Sequence, residues 1–298
     1  MTVPDRLRAC IRQNVPMADY TTFRTGGPAQ WLAVPEDEDQ LLTLLAFAED
    51  NELPYLVLGR GSNVLVSDSG ITGLVIRISY GSVREENGML RADAGLTLAR
   101  LFEDALGLGY TGLEFAAGIP GTLGGAVVMN AGAYGHEMKD IIRSVRFREK
   151  GGRIREEKAD TLGFGYRKSI FSDADYTVLS ALLELPRGDI KASRETARDL
   201  MERRRLSQPL EYPSGGSTFK RPAGAYAGTL VEMCGLRGAS CGGARVSEKH
   251  GGFIINGGSA TSEDIVRLMR EVHEAVLQQT GYALEPEIRM AGDFKEKP

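Results

Sequence analysis

Residues 118–135 read GIPGTLGGAVVMNAGAYG. Glycine stands at 118, 121, 124, 125, 132 and 135, within an apolar run that carries no charged side chain. Removing Cβ atoms at such a density lets another group approach the main chain closely. A second stretch of this kind, LGRGSNVL at 58–65, follows the apolar PYLVL, and its small residues leave amide N–H groups able to face an anion. Neither stretch is a Walker loop, since no Gly-Lys-Ser/Thr closes it. Neither has the setting of a Rossmann turn, with an acidic residue about 20 positions further on. Taken singly, each is equally well a tight turn packed against neighbouring strands.

The remainder of the chain gives these loops an α+β setting. With 298 residues, it is long enough for two domains or three small ones. Local patterning predicts a helix in DRLRACIRQN, a strand in QWLAVP, a helix in EDQLLTLLAFAEDN and strands in LPYLVLG and LVIRIS. VREENGMLRADAG reads as a hairpin around Asn87-Gly88, TLARLFEDALGLG as a helix, and DIIRSVRFREKGGRIREEKA as a hairpin around Gly151-Gly152. The strand YTVLSALLEL and an arginine-rich helix follow, and the helix runs into the break QPLEYPSGG, which marks a domain boundary near Ser207. Beyond it, AYAGTLVEMCGLRG reads as a helix. TSEDIVRLMREVHEAVLQQTG is a helix capped at Thr261 or Ser262 and stopped by Gly281, and ALEPEIRMAG is a last strand. The expected division is 1–80, 81–206 and 207–298, the last strand being free to return to the earlier lobes.

Composition excludes several classes of function. Hydrophobic residues make up 42% and charged residues 26%, and no apolar run approaches the roughly 20 residues of a membrane helix. The N-terminus has no apolar segment behind its charges, so a cytoplasmic protein without membrane attachment is expected. A net charge of -4 does not suit a protein that coats nucleic acid. Cys10, Cys234 and Cys241 form no Cys-x-x-Cys pair, and His136, His250 and His273 share no ligand spacing, so neither a disulfide framework nor a metal site is expected. The run Arg203 to Arg205 closes a helix and reads as a solvated terminus.

Seven segments taken in order carry a resemblance: TTFRTGGPAQ, LGRGSNVL, AGIPGTLGGAVVMNAGAYG, FGYRKSIF, YPSGGSTFKRP, GGARVSEKHGGFIIN and LEPEIRMAG. Together they resemble the UDP-N-acetylenolpyruvoylglucosamine reductase (MurB) family over nearly the whole chain, in the shorter subtype that lacks an extra tyrosine-bearing loop. The resemblance implies a vanillyl-alcohol-oxidase (PCMH)-type FAD-binding fold of two lobes, followed by an α+β substrate-binding domain. It also implies FAD as cofactor, NADPH as hydride donor and UDP-N-acetylglucosamine enolpyruvate as substrate, in peptidoglycan precursor synthesis. FAD would lie along Gly59, Arg60, Gly61, Ser62 and Asn63, and along Gly118, Pro120, Gly121, Thr122, Gly124, Gly125, Ala126, Asn130, Gly132 and Tyr134, with Arg289 near the flavin.

By the same resemblance, three side chains carry the reaction. Arg167 would hold the substrate carboxylate through a guanidinium fork. Glu287 would share that carboxylate, which requires a raised pKa so that two negative charges do not meet. Ser217, reached past Gly215-Gly216, would give a proton to the enolate carbon, with Lys220 easing the cost of a transient alkoxide. No Gly-x-Ser-x-Gly elbow surrounds Ser217, so it is not read as a hydrolase nucleophile. Tyr166, Lys220, Arg221, Arg245, Lys249 and Asn256 are the expected substrate contacts. Arg221 stands where the family is expected to carry asparagine, so an amide contact to the UDP moiety does not carry over, and a guanidinium is available to the diphosphate instead. Two rival readings remain at the level of sequence: an alcohol or sugar oxidase of the same flavoprotein superfamily, and a non-catalytic flavin or nucleotide-sugar binding module.

Overall fold

The computed structural model describes residues 5–295. Of the described residues, 5–12, 32–60 and 74–204 make a first compact unit, and 13–31, 61–73 and 205–295 a second. The division at Arg204 falls close to the break read from the sequence. However, 13–31 and 61–73, assigned from sequence to the first lobe, belong with the C-terminal residues. The reason is apolar burial: Phe23 and Leu65, both fully buried, are part of the same core as Phe219, Val272 and Ile288.

The first unit is built on a five-stranded antiparallel sheet, in the order Ile154–Lys158, Ile142–Glu149, Tyr176–Leu183, Met89–Asp93, Val83–Glu86. Its hairpins turn where left-handed backbone was expected. Asn87 and Gly88 have φ 53° and 76°, and Gly151 and Gly152 have φ 88° and 98°. Strand alternation gives the sheet two unlike faces. Val145 and Phe147 join an apolar core with Leu101, Phe102 and Leu123 from the helices Leu98–Gly107 and Leu123–Val128. The opposite face carries Ser144, Arg146 and Arg148.

Those arginines meet the helix Glu38–Asp50, whose start is capped by Asp37 accepting the Gln40 amide. Arg146 pairs with Glu38 at 2.7 Å, and Arg148 makes a forked pair with Glu49 at 2.6 and 2.7 Å. Glu49 also accepts the Tyr55 hydroxyl and the Gly151 amide, so one carboxylate ties helix, strand and hairpin turn together. The helix is followed by the strand Tyr55–Leu58, which runs parallel to 74–77 and ends at Gly59.

In the second unit, a three-stranded sheet of Ser240–Cys241, Ala244–Val246 and Ile254–Asn256 packs with the helix Ser262–Thr280. That helix has the expected ends: a reciprocal Thr261–Asp264 capping box and a left-handed Gly281 at φ 77°. Its first amides also donate to Asp68, from Ser262 and Glu263 at 2.9 and 3.0 Å. Val64–Val66 runs parallel to Arg289–Ala291. Two local readings need correction. DRLRACIRQN is helical only over Asp5–Arg8 and then becomes the strand Ile11–Pro16, in which Asn14 takes φ 51°, outside helical backbone. The last strand is confined to Arg289–Ala291, because the residues before it pair with 218–220 instead, through the Glu285 carbonyl and the Glu287 amide. Among the described residues no helix is long and apolar enough to cross a membrane.

Arg148 and Glu49 keep 5% and 14% of their side-chain surface, whereas Arg100 of the Arg100–Asp104 pair keeps 67%. Removing one partner of a buried pair strands the other, at about 3 kcal/mol, against less than about 1 kcal/mol for an exposed pair. Glu49→Gln is therefore expected to lower the denaturation free energy far more than Asp104→Asn. The Arg148 hydrogen bond holds the Glu49 carboxyl below its ordinary value of 4.5. Its contribution is complete above the unfolded pKa and is lost as pH falls through the lower folded one. Wild type and Glu49→Gln should accordingly converge in stability below about pH 4.5. Parallel melting curves at all pH values would refute this account.

Candidate active site

Within the first unit the two glycine-rich stretches touch. The Thr122 hydroxyl lies 2.3 Å from where a Cβ on Gly59 would stand, and the same oxygen accepts the Gly125 amide at 3.4 Å, capping Leu123–Val128. Gly124 rests on Ala94, whose Cβ would be 2.9 Å from an added one, and its amide donates to the Ala94 carbonyl. Gly132 faces the His136 carbonyl at 2.4 Å from an ideal Cβ. Many of these glycines thus let main chain meet main chain. Gly125 and Pro120 are exposed, and Gly118 and Gly121 half-buried.

The donors suit an anion. Among the described residues the amides of Arg60, Gly61 and Ser62 donate to no backbone carbonyl, and Gly61 holds φ 62°. Adding a Cβ to Gly61 would bring it to 2.2 Å from the Tyr20 carbonyl. Amides of this kind hold a dinucleotide pyrophosphate without a cluster of lysines, which suits a chain of net charge -4.

The arginine run is not uniformly solvated. Arg203 pairs with Asp199 on the surface at 2.8 Å, but Arg204 is half-buried and its guanidinium donates to the Gly118 carbonyl. Burial holds its pKa below the ordinary guanidinium value. One helical turn back, the Leu200 carbonyl accepts the Tyr134 hydroxyl at 2.7 Å. The helix Ile190–Ser207 thereby grips the glycine stretch at both ends. Nothing in the local sequence separates Arg204 from its neighbours; only its place on the inward face of the helix does.

Arg167 stands at the tip of a tight turn in the first unit, half-buried, at φ 55°. Its guanidinium carbon lies 5.2 Å from the centre of the exposed Tyr166 ring. In the second unit, three of the quoted motifs converge. The Glu287 amide donates to the Thr218 carbonyl and the Lys220 amide to that of Glu285, so 218–220 and 285–287 lie side by side in antiparallel register. Asn63 donates its side-chain amide to the Glu287 carbonyl at 3.0 Å and accepts the Arg289 amide at 3.0 Å. Ser217 and Glu287 are both half-buried and one residue out of register, and Gly216, at φ 82°, has open space beside it.

The remaining expected contacts divide by geometry. Lys220 is paired with Glu285, and Lys249 with the Arg205 carbonyl and Glu211. The Arg221 guanidinium lies over the Tyr226 ring at 4.1 Å. Arg245 sits 5.8 Å from the Tyr212 ring, its Nε buried without a hydrogen-bond partner among the described residues. Asn256 is 5% exposed and spends its side chain on Phe23, Gly258 and Ala260. Ala126, Thr122 and Asn130 are buried as well. Sequence reading missed Thr218, fully buried, whose hydroxyl accepts the Ile254 amide and fixes the strand beside Ser217.

A backbone-lined anion cradle on an α+β scaffold suits the pyrophosphate of a dinucleotide-binding protein. Residues 29–157 match the FAD binding domain family model, and 208–291 match the C-terminal domain model of UDP-N-acetylenolpyruvoylglucosamine reductase. The reductase of that name from Caldanaerobacter subterraneus subsp. tengcongensis is 44% identical over 295 residues, covering 97% of this chain and 98% of its own. That from Clostridioides difficile is 45% identical over 285 residues, covering 95% and 94%. The crystal structure of the Thermus caldophilus reductase superposes with a TM-score of 0.80 at 34% identity, covering 95% of this chain and all of that one. The chain belongs to the UDP-N-acetylenolpyruvoylglucosamine reductase (MurB) family, and is an FAD-dependent oxidoreductase.

The Gly59–Thr122 approach supplies a direct test of the cofactor loops. Gly59→Ala has no room for its methyl group and is expected to lower the flavin retained per protein several-fold. Gly107→Ala, at a helix end with nothing within 4 Å, should leave that ratio unchanged. Equal retention in both variants would mean that the contact does not shape the site.

Proposed function

We propose that the protein reduces the enolpyruvyl ether of UDP-N-acetylglucosamine to the lactyl ether, with NADPH as hydride donor, in peptidoglycan precursor synthesis. The observation that carries this reading is the Glu287 amide bond to the Thr218 carbonyl, with Asn63 of the glycine loop bonded to Glu287 in turn. The main chain of 217–218 and of Glu287 thereby meets the loop suited to the cofactor, which supports the reading.

FAD held along the glycine stretches would supply reversible hydride storage between donor and substrate. Arg167 binds the enolpyruvyl carboxylate, and its fork strengthens as charge builds on that group. Glu287, in its protonated form, offers a hydrogen bond to the same carboxylate instead of a second negative charge. Hydride on the terminal enolpyruvyl carbon leaves negative charge on the neighbouring carbon, and the Ser217 hydroxyl gives that carbon its proton. A serine is a weak acid, but the acceptor is a strongly basic carbanion. Lys220, already paired with Glu285, stands three residues on and lowers the cost of the transient alkoxide. Arg221, Arg245 and Lys249 supply cations for the diphosphate, and Tyr166 an aromatic face beside Arg167. Arg60 and Arg289, both exposed, serve the cofactor.

Only the second half-reaction consumes the serine proton. Ser217→Ala is therefore expected to bind FAD and to be reduced by NADPH at the wild-type rate, while reoxidation by the enolpyruvyl substrate slows by about a hundredfold or more. Stopped-flow absorbance of the flavin separates the two steps. Equal slowing of both would remove Ser217 from the proton-donating role.

A further inference from the structure

Asn130 has no exposed surface, and its side chain is bonded entirely within the protein. Its amide nitrogen donates to the Gly165 carbonyl and to Glu137 Oε2, both at 2.9 Å, and its carbonyl accepts the Lys139 amide at 2.9 Å. Both amide protons are thereby used, leaving no donor for a ligand. Asn130 sits in the glycine stretch, but what it holds is another segment.

Gly165 and Lys168 close that segment as a tight turn by exchanging backbone hydrogen bonds at 2.9 and 3.2 Å, with Tyr166 and Arg167 at its tip. Arg167 there takes φ 55°, a conformation that glycine or asparagine adopts at less cost. A long side chain persists in such backbone only when its surroundings over-determine it. Those surroundings lie at the end of the glycine stretch. Ser169, 1% exposed, donates to the Val128 carbonyl at 2.7 Å, Ser172 donates to the same oxygen at 3.1 Å, and Asn130 reaches the Gly165 carbonyl. The Arg167 turn therefore hangs from residues 128–130.

We infer that Asn130 is a positioning residue that acts through the Gly165 carbonyl to set Arg167 for the carboxylate of the enolpyruvyl substrate. The inference rests on the role proposed above for Arg167. Cofactor loop and carboxylate-binding arginine then move as one body, because the buried Asn130 amide, together with Ser169 and Ser172, joins them.

The test is a double-mutant cycle of Asn130→Gly and Arg167→Met, read in both half-reactions on flavin-loaded protein. Asn130 takes φ 41°, so glycine keeps the left-handed backbone there while deleting all three bonds. Flavin content and melting temperature report whether each variant is folded and loaded. The expected result is that Asn130→Gly is reduced by NADPH as wild type is, but is reoxidised by the substrate between about tenfold and a hundredfold more slowly. In the Arg167→Met background, the same change should add nothing. An equal further loss in that background, or equal slowing of both half-reactions, overturns the positioning role while leaving Arg167 in place. If Arg167→Met itself reoxidises at the wild-type rate, the carboxylate role of Arg167 fails and the inference with it. Should Asn130→Gly lose its flavin, Ser169→Ala, which removes one bond from the same turn, is required to show the same pattern on a smaller scale; wild-type reoxidation in Ser169→Ala overturns the inference.

Discussion

Asn63 makes two bonds on which the candidate site depends: its side-chain amide donates to the Glu287 carbonyl, and its own carbonyl accepts the Arg289 amide. Backbone groups away from water must be paired, so a residue that bonds one neighbouring segment at two points fixes that segment against its own strand. Here that segment also bonds Thr218, and hence the strand bearing Ser217. A glycine loop, a serine and a glutamate far apart in sequence are thereby held within a ladder step or two of one another. The parallel pairing of Val64–Val66 with Arg289–Ala291 continues that arrangement and anchors it to a buried core through Leu65.

In the first unit the governing constraint is closeness of backbone. Gly59 against Thr122 and Gly124 against Ala94 leave no room for Cβ atoms, and the glycine stretch is then gripped by Arg204 and Tyr134 and tied to the Arg167 turn by Asn130. Charge enters where burial makes it matter. The Arg148–Glu49 fork closes the polar face of the five-stranded sheet onto the helix Glu38–Asp50, whereas Lys150–Asp175 lies in water and contributes little. The glycine stretch is held by these contacts on the apolar side of the sheet, opposite its ion pairs. It suits a site that must present fixed donors to a large cofactor.

Features with a local physical cause were legible in the sequence. The Asn87-Gly88 turn, the Thr261 cap, the Gly281 stop and the two glycine stretches each follow from what one or two residues permit. What was not legible depends on partners distant in the chain. Ile11–Pro16 is a strand although its sequence suits a helix, and Phe23 and Leu65 join a core built mostly of residues beyond 205. Arg204 looks like its neighbours until the helix is placed against Gly118. The resemblance places Asn130 along the cofactor, and only the fold shows its buried side chain bonded to Gly165, Glu137 and Lys139. The assignment of Arg167 and Glu287 came from motif resemblance, since a single arginine or glutamate carries no signal of its own.

The central claim is that one flavin site takes electrons from NADPH and gives them to an enolpyruvyl ether. The most direct measurement is an anaerobic titration of the purified protein, following flavin absorbance as NADPH and then UDP-N-acetylglucosamine enolpyruvate are added. The account predicts bleaching by NADPH and full recovery on addition of the substrate. A bleached flavin that recovers only when oxygen is admitted, or a bound flavin that NADPH leaves unchanged, would contradict it.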